Sequence, residues 1–218
     1  YNGLRLFGFG KKSGLGLPGE TKGLLREPSL WDEYSVTRIP FGQEVAVTAM
    51  QMVKAFCILA NEGRVVRPHL IKALVDKHCE PIVRDSGYKV ADQMGQVIEP
   101  ETARWLVTRA LADVVNEGTG KKAKLDKWQL FGKSGTAQIA KRDGRGYEDG
   151  AYIASFIAGA PSQDPAVVVL VSICRPNRKL GNGYSGGTVA APVVGRIMEK
   201  TLGYLESRGH RIVRKDAI

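Results

Sequence analysis

Apolar residues recur at helical spacing through residues 43–61, where Val45, Ala49, Met52, Val53, Phe56, Leu59 and Ala60 fall on one side of a 3.6-residue turn and Gly63 is placed to end the helix. A second helix is predicted from Pro100, whose fixed φ suits a first turn. Glu99 and Glu101 sit at its positive end, and Ala103, Leu106, Val107, Ala110, Leu111, Val114 and Val115 form its buried stripe. A third helix over 189–205 places Val194, Ile197, Met198, Leu202 and Leu205 together. Residues 65–75 are β-branched and partly alternating, which predicts a strand, and 76–95 read as turns with short strands. Three further strands are expected over 129–139, 152–160 and 166–174, joined by connections too short to hold a crossover helix, so neighbours run antiparallel. The first forty residues, from Phe7-Gly8-Phe9-Gly10 through Leu17-Pro18-Gly19-Glu20 to Ile39-Pro40-Phe41-Gly42, read as turns and a long ordered loop. The outline is an α+β fold, an antiparallel sheet with helices packed against it.

Composition adds little to this picture. With 218 residues, 43% hydrophobic and 25% charged, the chain can bury a real core. It begins at Tyr1 without a basic-then-apolar leader, and no apolar run approaches the ~20 residues that span a bilayer. The net charge of +10 is carried by runs such as Lys121-Lys122-Ala123-Lys124, by Arg175, Arg178 and Lys179, and by the tail from Arg208 to Lys215. These runs lack interleaved aromatics and match no DNA-reading motif, so they are read as solvated surface or mild attraction to an anionic envelope, with no nucleic-acid partner. Cys57, Cys79 and Cys174 are an odd number without zinc spacing, and His69, His78 and His210 are scattered; no metal and no cofactor is expected.

The segment that carries chemistry is Lys133-Ser134-Gly135-Thr136 in the first of the three predicted strands. A glycine on an edge strand lets a peptide lie alongside and pair with the backbone. Lys133 puts a positive charge where an anionic terminus would sit, and the hydroxyls of Ser134 and Thr136 can donate to that carboxylate. The Thr136 N–H can donate to a carbonyl oxygen that becomes negative during acyl transfer.

This Lys-Ser-Gly element resembles the third motif of penicillin-binding proteins and serine β-lactamases. The likeness to class B penicillin-binding proteins extends further and in the same order: Phe7-Gly8-Phe9-Gly10 with Leu17-Pro18-Gly19-Glu20, Phe41-Gly42-Gln43, Leu59-Ala60-Asn61-Glu62-Gly63, Val66-Arg67-Pro68-His69-Leu70, Glu117-Gly118-Thr119-Gly120, Ala154 to Pro161, and Gly186 to Val193. The resemblance implies the C-terminal half of a single penicillin-binding transpeptidase domain: a Gly/Pro-rich loop region (1–42), a helical region with short strands (43–128), antiparallel strands with a C-terminal helix (129–205) and a basic tail (206–218). It implies a serine-type D,D-transpeptidase that cross-links peptidoglycan, with stem peptides as substrate and β-lactams as ligands. Lys133 and Thr136 would be its catalytic residues, and Lys133, Ser134, Gly135 and Thr136 would bind substrate. It also implies cell-wall synthesis proteins as partners and a place on the extracytoplasmic face of the bacterial membrane, anchored by an upstream segment.

The chain departs from the family pattern in one respect. It holds no Ser-x-Asn, and its one Ser-x-x-Lys is Ser86-Gly87-Tyr88-Lys89, set among turn residues where Gly87 disfavours the apolar helix a nucleophile needs. The expectation is that nucleophile and base lie upstream, so that this polypeptide by itself is inactive. The alternatives are a serine β-lactamase or D,D-carboxypeptidase relative, and a non-catalytic module binding anionic cell-wall or nucleic-acid polymers. Trp105, beside its helix stripe, is read as packing, and Trp128 as packing or the lining of a cleft; residues 181–187 are read as a hairpin or a loop flanking the cleft.

Overall fold

In the computed structural model the last three strand candidates form one antiparallel sheet, with Tyr147–Ala160 in the middle between Phe131–Ala140 and Val167–Cys174. The structure describes residues 1–71, 75–80, 82, 95–141, 146–180 and 183–215, which divide into two compact units, Tyr1–Ile98 and Glu99–Ile218.

In the first unit, helices α1 (Asn2–Leu6) and α2 (Ser35–Arg38) and a two-residue ladder between β1 (Leu24–Leu25) and β2 (Val45–Ala46) occupy the region expected to be loop. Helix α3 spans Ala49–Ala60, so the predicted start at 43 is corrected: Val45 pairs in β2 and the helix begins after Thr48. A capping box sets that boundary. The Thr48 hydroxyl accepts the Gln51 N–H at 3.1 Å, and Gln51 Oε1 accepts the Thr48 N–H at 2.8 Å. Gln51 is 2% exposed, and its amide also donates to the carbonyls of Lys11 (2.7 Å) and Lys22 (2.9 Å), clasping both ends of the loop between them. The buried face is Gln51, Ala55, Phe56 and Ile58. A second polar node centres on buried Ser35, whose hydroxyl donates to Glu44 Oε2 at 2.8 Å and accepts from Arg26; Arg26 also pairs with Glu44. The Ser35 hydroxyl first, and Arg26 after it, hold the Glu44 carboxyl below its ordinary value.

The strand predicted over 65–75 is not formed among the described residues; just before it Arg64 makes an isolated antiparallel bridge to Gln96, and Val75 is a bridge residue. Pro68 has no N–H to give a ladder, and Leu70 and Ile71 are exposed, so no core face forms to hold a strand. Ser86 and Lys89 lie outside the described residues.

In the second unit, α4 (Pro100–Trp105) runs through a π turn (Leu106–Ala110) into α5 (Leu111–Asn116). Its buried residues are Ala103, Val107, Ala112 and Val115, and the five-residue step from 107 to 112 reflects the wider turn. Strand β3 (Phe131–Ala140) pairs with β4 (Tyr147–Ala160), and β4 with β5 (Val167–Cys174). A π turn (Gly186–Ala190) leads into α6 (Ala191–Ser207), and Val194, Met198 and Leu202 of α6 pack with Phe156, Ala158 and Trp128 in the core. Burying side chains such as Phe156, Met198 and Leu202, each 0% exposed, contributes about 2 kcal/mol apiece. Ile197 is 40% exposed and so falls outside the stripe assigned to it. Trp105 is 59% exposed rather than packed, whereas Trp128 is buried.

Candidate substrate groove

Residues 133–136 face Ile157, Phe156, Ser155 and Ala154 of β4 in register, and no strand pairs with the other edge of β3 among the described residues. Side chains alternate along a strand, so Lys133 and Gly135 share one face, and Ser134 and Thr136 the other.

The backbone direction follows from Gly186. A Cβ at that position would stand 1.9 Å from the Ser155 carbonyl oxygen and 2.5 Å from that of Gly135. Two carbonyl oxygens so near one point face each other across the ladder, which makes Gly135 and Ser155 the pair that exchanges hydrogen bonds. Ser134 and Thr136 therefore turn their N–H and C=O groups toward the open edge. The Lys133 ammonium donates to the Ser134 carbonyl at 2.9 Å, as an oxygen outside the ladder allows.

On the Ser134 and Thr136 face lies a groove of about 400 Å³. Hydroxyls of Thr119, Ser134, Thr136, Ser185 and Thr188 line it, together with Lys121 and Lys122, and no carboxylate does. Thr119 and Ser134 hydroxyls share a hydrogen bond of 2.7 Å. The Gly186 N–H donates to Thr136 Oγ1 at 3.2 Å. Ser185 and Thr188 form a capping box that starts the π turn, with the Thr188 hydroxyl donating to the Ser185 carbonyl at 2.9 Å. Close approach needs both glycines: a Cβ on Gly187 would stand 2.2 Å from the Thr119 carbonyl oxygen, as one on Gly186 would collide with the ladder. Nearby, Tyr184 stacks on Tyr152 at 4.5 Å between ring centroids, and Arg178 lies 4.0 Å from the Tyr184 ring centre.

Of the four residues singled out from sequence, Ser134 and Thr136 come together in the groove, while Lys133 stands on the opposite face of the strand and does not line it. Thr119, Lys121, Lys122, Ser185 and Thr188 are groove residues that sequence reasoning did not select. The Gly186-Gly187 pair beside a Ser-x-x-Thr spacing was the signal available. Among the described residues no group of three or more His, Cys, Asp or Glu side chains is placed to hold a metal, and no helix is long and apolar enough to cross a membrane.

Residues 1–199 match the penicillin binding protein transpeptidase domain. Stage V sporulation protein D of Bacillus subtilis is 39% identical over 196 residues, covering 90% of this chain and 29% of that protein. Probable peptidoglycan D,D-transpeptidase PbpC of Pseudomonas aeruginosa is 34% identical over 196 residues, 89% of this chain and 31% of that protein. Among solved structures, penicillin binding protein 3 of Mycobacterium tuberculosis in its apo form superposes with a TM-score of 0.80 at 28% identity, over 98% of this chain and 47% of that one. The same protein complexed with ampicillin gives 0.80 at 28%, over 99% and 46%. The chain thus spans about three-tenths of the length of these curated relatives and about half of the crystallised chains.

Proposed function

Because the chain belongs to the penicillin-binding protein transpeptidase family, we propose that β3 is the substrate strand of a serine-type D,D-transpeptidase that cross-links peptidoglycan. The observation that carries this reading is the open edge of β3, where Ser134 and Thr136 present backbone groups beside a hydroxyl-lined groove. A stem peptide ending in D-Ala-D-Ala adds to that edge as a further strand. Its terminal carboxylate accepts from the Ser134 and Thr136 hydroxyls, and the Thr136 N–H donates to the carbonyl oxygen under attack, where negative charge develops. Serine attack on that carbonyl expels the terminal D-Ala, and the acyl group passes to an amine of a neighbouring strand. Lys133 supplies positive charge on the other face of the strand. β-Lactams enter as acylating mimics of the same peptide.

The nucleophile and its base are contributed by residues other than these 218, which form one part of a single transpeptidase domain. The whole enzyme works on the extracytoplasmic face of the membrane, held by an anchor and accompanied by cell-wall synthesis proteins. Fluorescent penicillin tests the reading. The 218-residue chain is expected to stay unlabelled. A polypeptide that also carries Ser-x-x-Lys and Ser-x-Asn is expected to label, and Gly135→Val to cut its labelling rate at least about tenfold by obstructing the edge. Labelling of the 218-residue chain that vanishes in Ser86→Ala, or a Gly135→Val rate equal to wild type, refutes it.

A further inference from the structure

Helix α6 ends in a reversal that returns the chain to the core. The His210 N–H donates to the Leu205 carbonyl at 3.1 Å and the Gly209 N–H to that of Glu206 at 2.9 Å. Gly209 stands at φ +83°, the left-handed position that closes a helix with such a pair of bonds and turns the chain back. The residues that follow lie beyond the family match over 1–199 and run against the segment 124–128. That segment, between a 3₁₀ turn (Lys121–Ala123) and β3, has neither helix nor strand to occupy its carbonyls. Lys215 occupies two of them. Its N–H donates to the Lys127 carbonyl at 2.9 Å, and its ammonium to the Leu125 carbonyl at 2.6 Å. Ile212 and Leu125 pack against the core cluster that includes Trp128. Arg214 fastens the returning chain to α6, donating from Nε and Nη2 at 2.8 Å each to the two carboxylate oxygens of Glu206.

The charges on this strap pull both ways. Arg214 first, then the Trp128 indole and Lys127, hold the Glu206 carboxyl below its ordinary value. Lys215 opposes docking: burial first, and Lys124 after it, push its ammonium below the ordinary value, with Asp126 acting against them. Beneath the strap, Trp128 is 3% exposed. Its N–H has no hydrogen-bond partner among the described residues, and both oxygens of Glu206 are taken by Arg214. A segment held by one ion pair, one lysine and one apolar side chain belongs to the low-stability end of a fold, where local opening precedes global unfolding.

We propose that residues 210–215 are a releasable strap, latched by Arg214 to Glu206, whose opening in acid bares Trp128 and frees the segment leading into β3 while the sheet stays folded. Protonating Glu206 removes the charge that Arg214 grips, whereas Arg214, Lys215, Lys124 and Lys127 stay positive with Asp126 alone set against them. The latch is therefore closed above the ordinary carboxyl value of 4.5 and opens as pH falls below it. It does not depend on the substrate-strand reading.

Hydrogen exchange of the 218-residue chain, followed by NMR, tests the latch, with the exposed Trp105 indole as the internal standard for the effect of pH on exchange. At neutral pH the Trp128 indole and the Lys215 amide are expected to lose at least about tenfold of their protection in Glu206→Gln, while the Phe156 and Ala158 amides of β4 keep theirs. As pH falls through the carboxyl range, wild type is expected to reach the Trp128 exchange of Glu206→Gln, and the variant to stay level. If Glu206→Gln protects Trp128 as fully as wild type does, or if Trp128 and the β4 amides of wild type lose protection together in acid, the latch is overturned. Should Glu206→Gln fail to fold, the wild-type titration decides alone: Trp128 opening at higher pH than Phe156 supports the strap, and opening at the same pH refutes it.

Discussion

At Gly186 a single missing carbon allows the site to exist. Its Cβ position lies 1.9 Å from a backbone carbonyl that cannot step aside, because that oxygen belongs to the β3–β4 ladder. Gly186→Ala is therefore expected to cost about 3 kcal/mol or to displace the π turn, seen as a lower urea midpoint. Gly135 is different. A Cβ there meets only the Ser155 hydroxyl, at 2.7 Å, and a hydroxyl can rotate away. Gly135→Ala should change unfolding by less than about 1 kcal/mol, so packing within the sheet does not require the glycine at this position. An equally large loss at both positions would show Gly135 to be structural. At Lys133 strand alternation decides the face: its side chain leaves β3 opposite the groove that holds the Ser134 and Thr136 hydroxyls.

Among the elements, α3 shows how a polar residue in a helix can decide a boundary. Val45 and Ala49 fit the helical period, yet the helix starts at Ala49 because Thr48 and Gln51 close a capping box and Val45 finds a strand partner in Leu25. Thr48→Ala is expected to cost about 1 kcal/mol in urea unfolding. Gln51→Leu keeps the bulk but leaves the Lys11 and Lys22 carbonyls without their donor; about 2 kcal/mol is expected, with faster tryptic cleavage at Lys11 and Lys22. Unchanged cleavage would mean that the loop is held by other contacts. The helix of α4 and α5 adds a complementary case. Its apolar residues predict a stripe of regular period, but the π turn over Leu106–Ala110 inserts one residue per turn and brings Ala112 into the core.

Over the whole chain, each unit carries a carboxylate held below its ordinary value. Glu44 in the first is held by the Ser35 hydroxyl and Arg26, and Glu206 in the second by a bidentate pair with Arg214 at 2.8 Å. The sign follows from linkage: a carboxyl with a lowered folded value binds its proton first in the unfolded chain. Its stabilisation is present above the ordinary value of 4.5 and fades as pH falls below it. Acid should therefore lower the unfolding midpoint, and the Glu44→Gln variant should lose part of that dependence. Equal acid sensitivity in wild type and variant would remove Glu44 from the account. With a net charge of +10, protonating carboxylates also increases self-repulsion, so added salt should soften the remaining acid effect.

Local chemistry by itself determined the three antiparallel strands, the approximate helices and the Lys-Ser-Gly-Thr strand, because β-branched runs, short connections and apolar periods act over a few neighbours. Tertiary structure decided which of those residues meet. Thr119, Lys122 and Ser185 are separated along the chain from Ser134 and Thr136, and they join them only because Gly186 and Gly187 let the start of a helix lie against the sheet. Such close approach depends on atoms contributed by distant segments, and no spacing along one segment can report it.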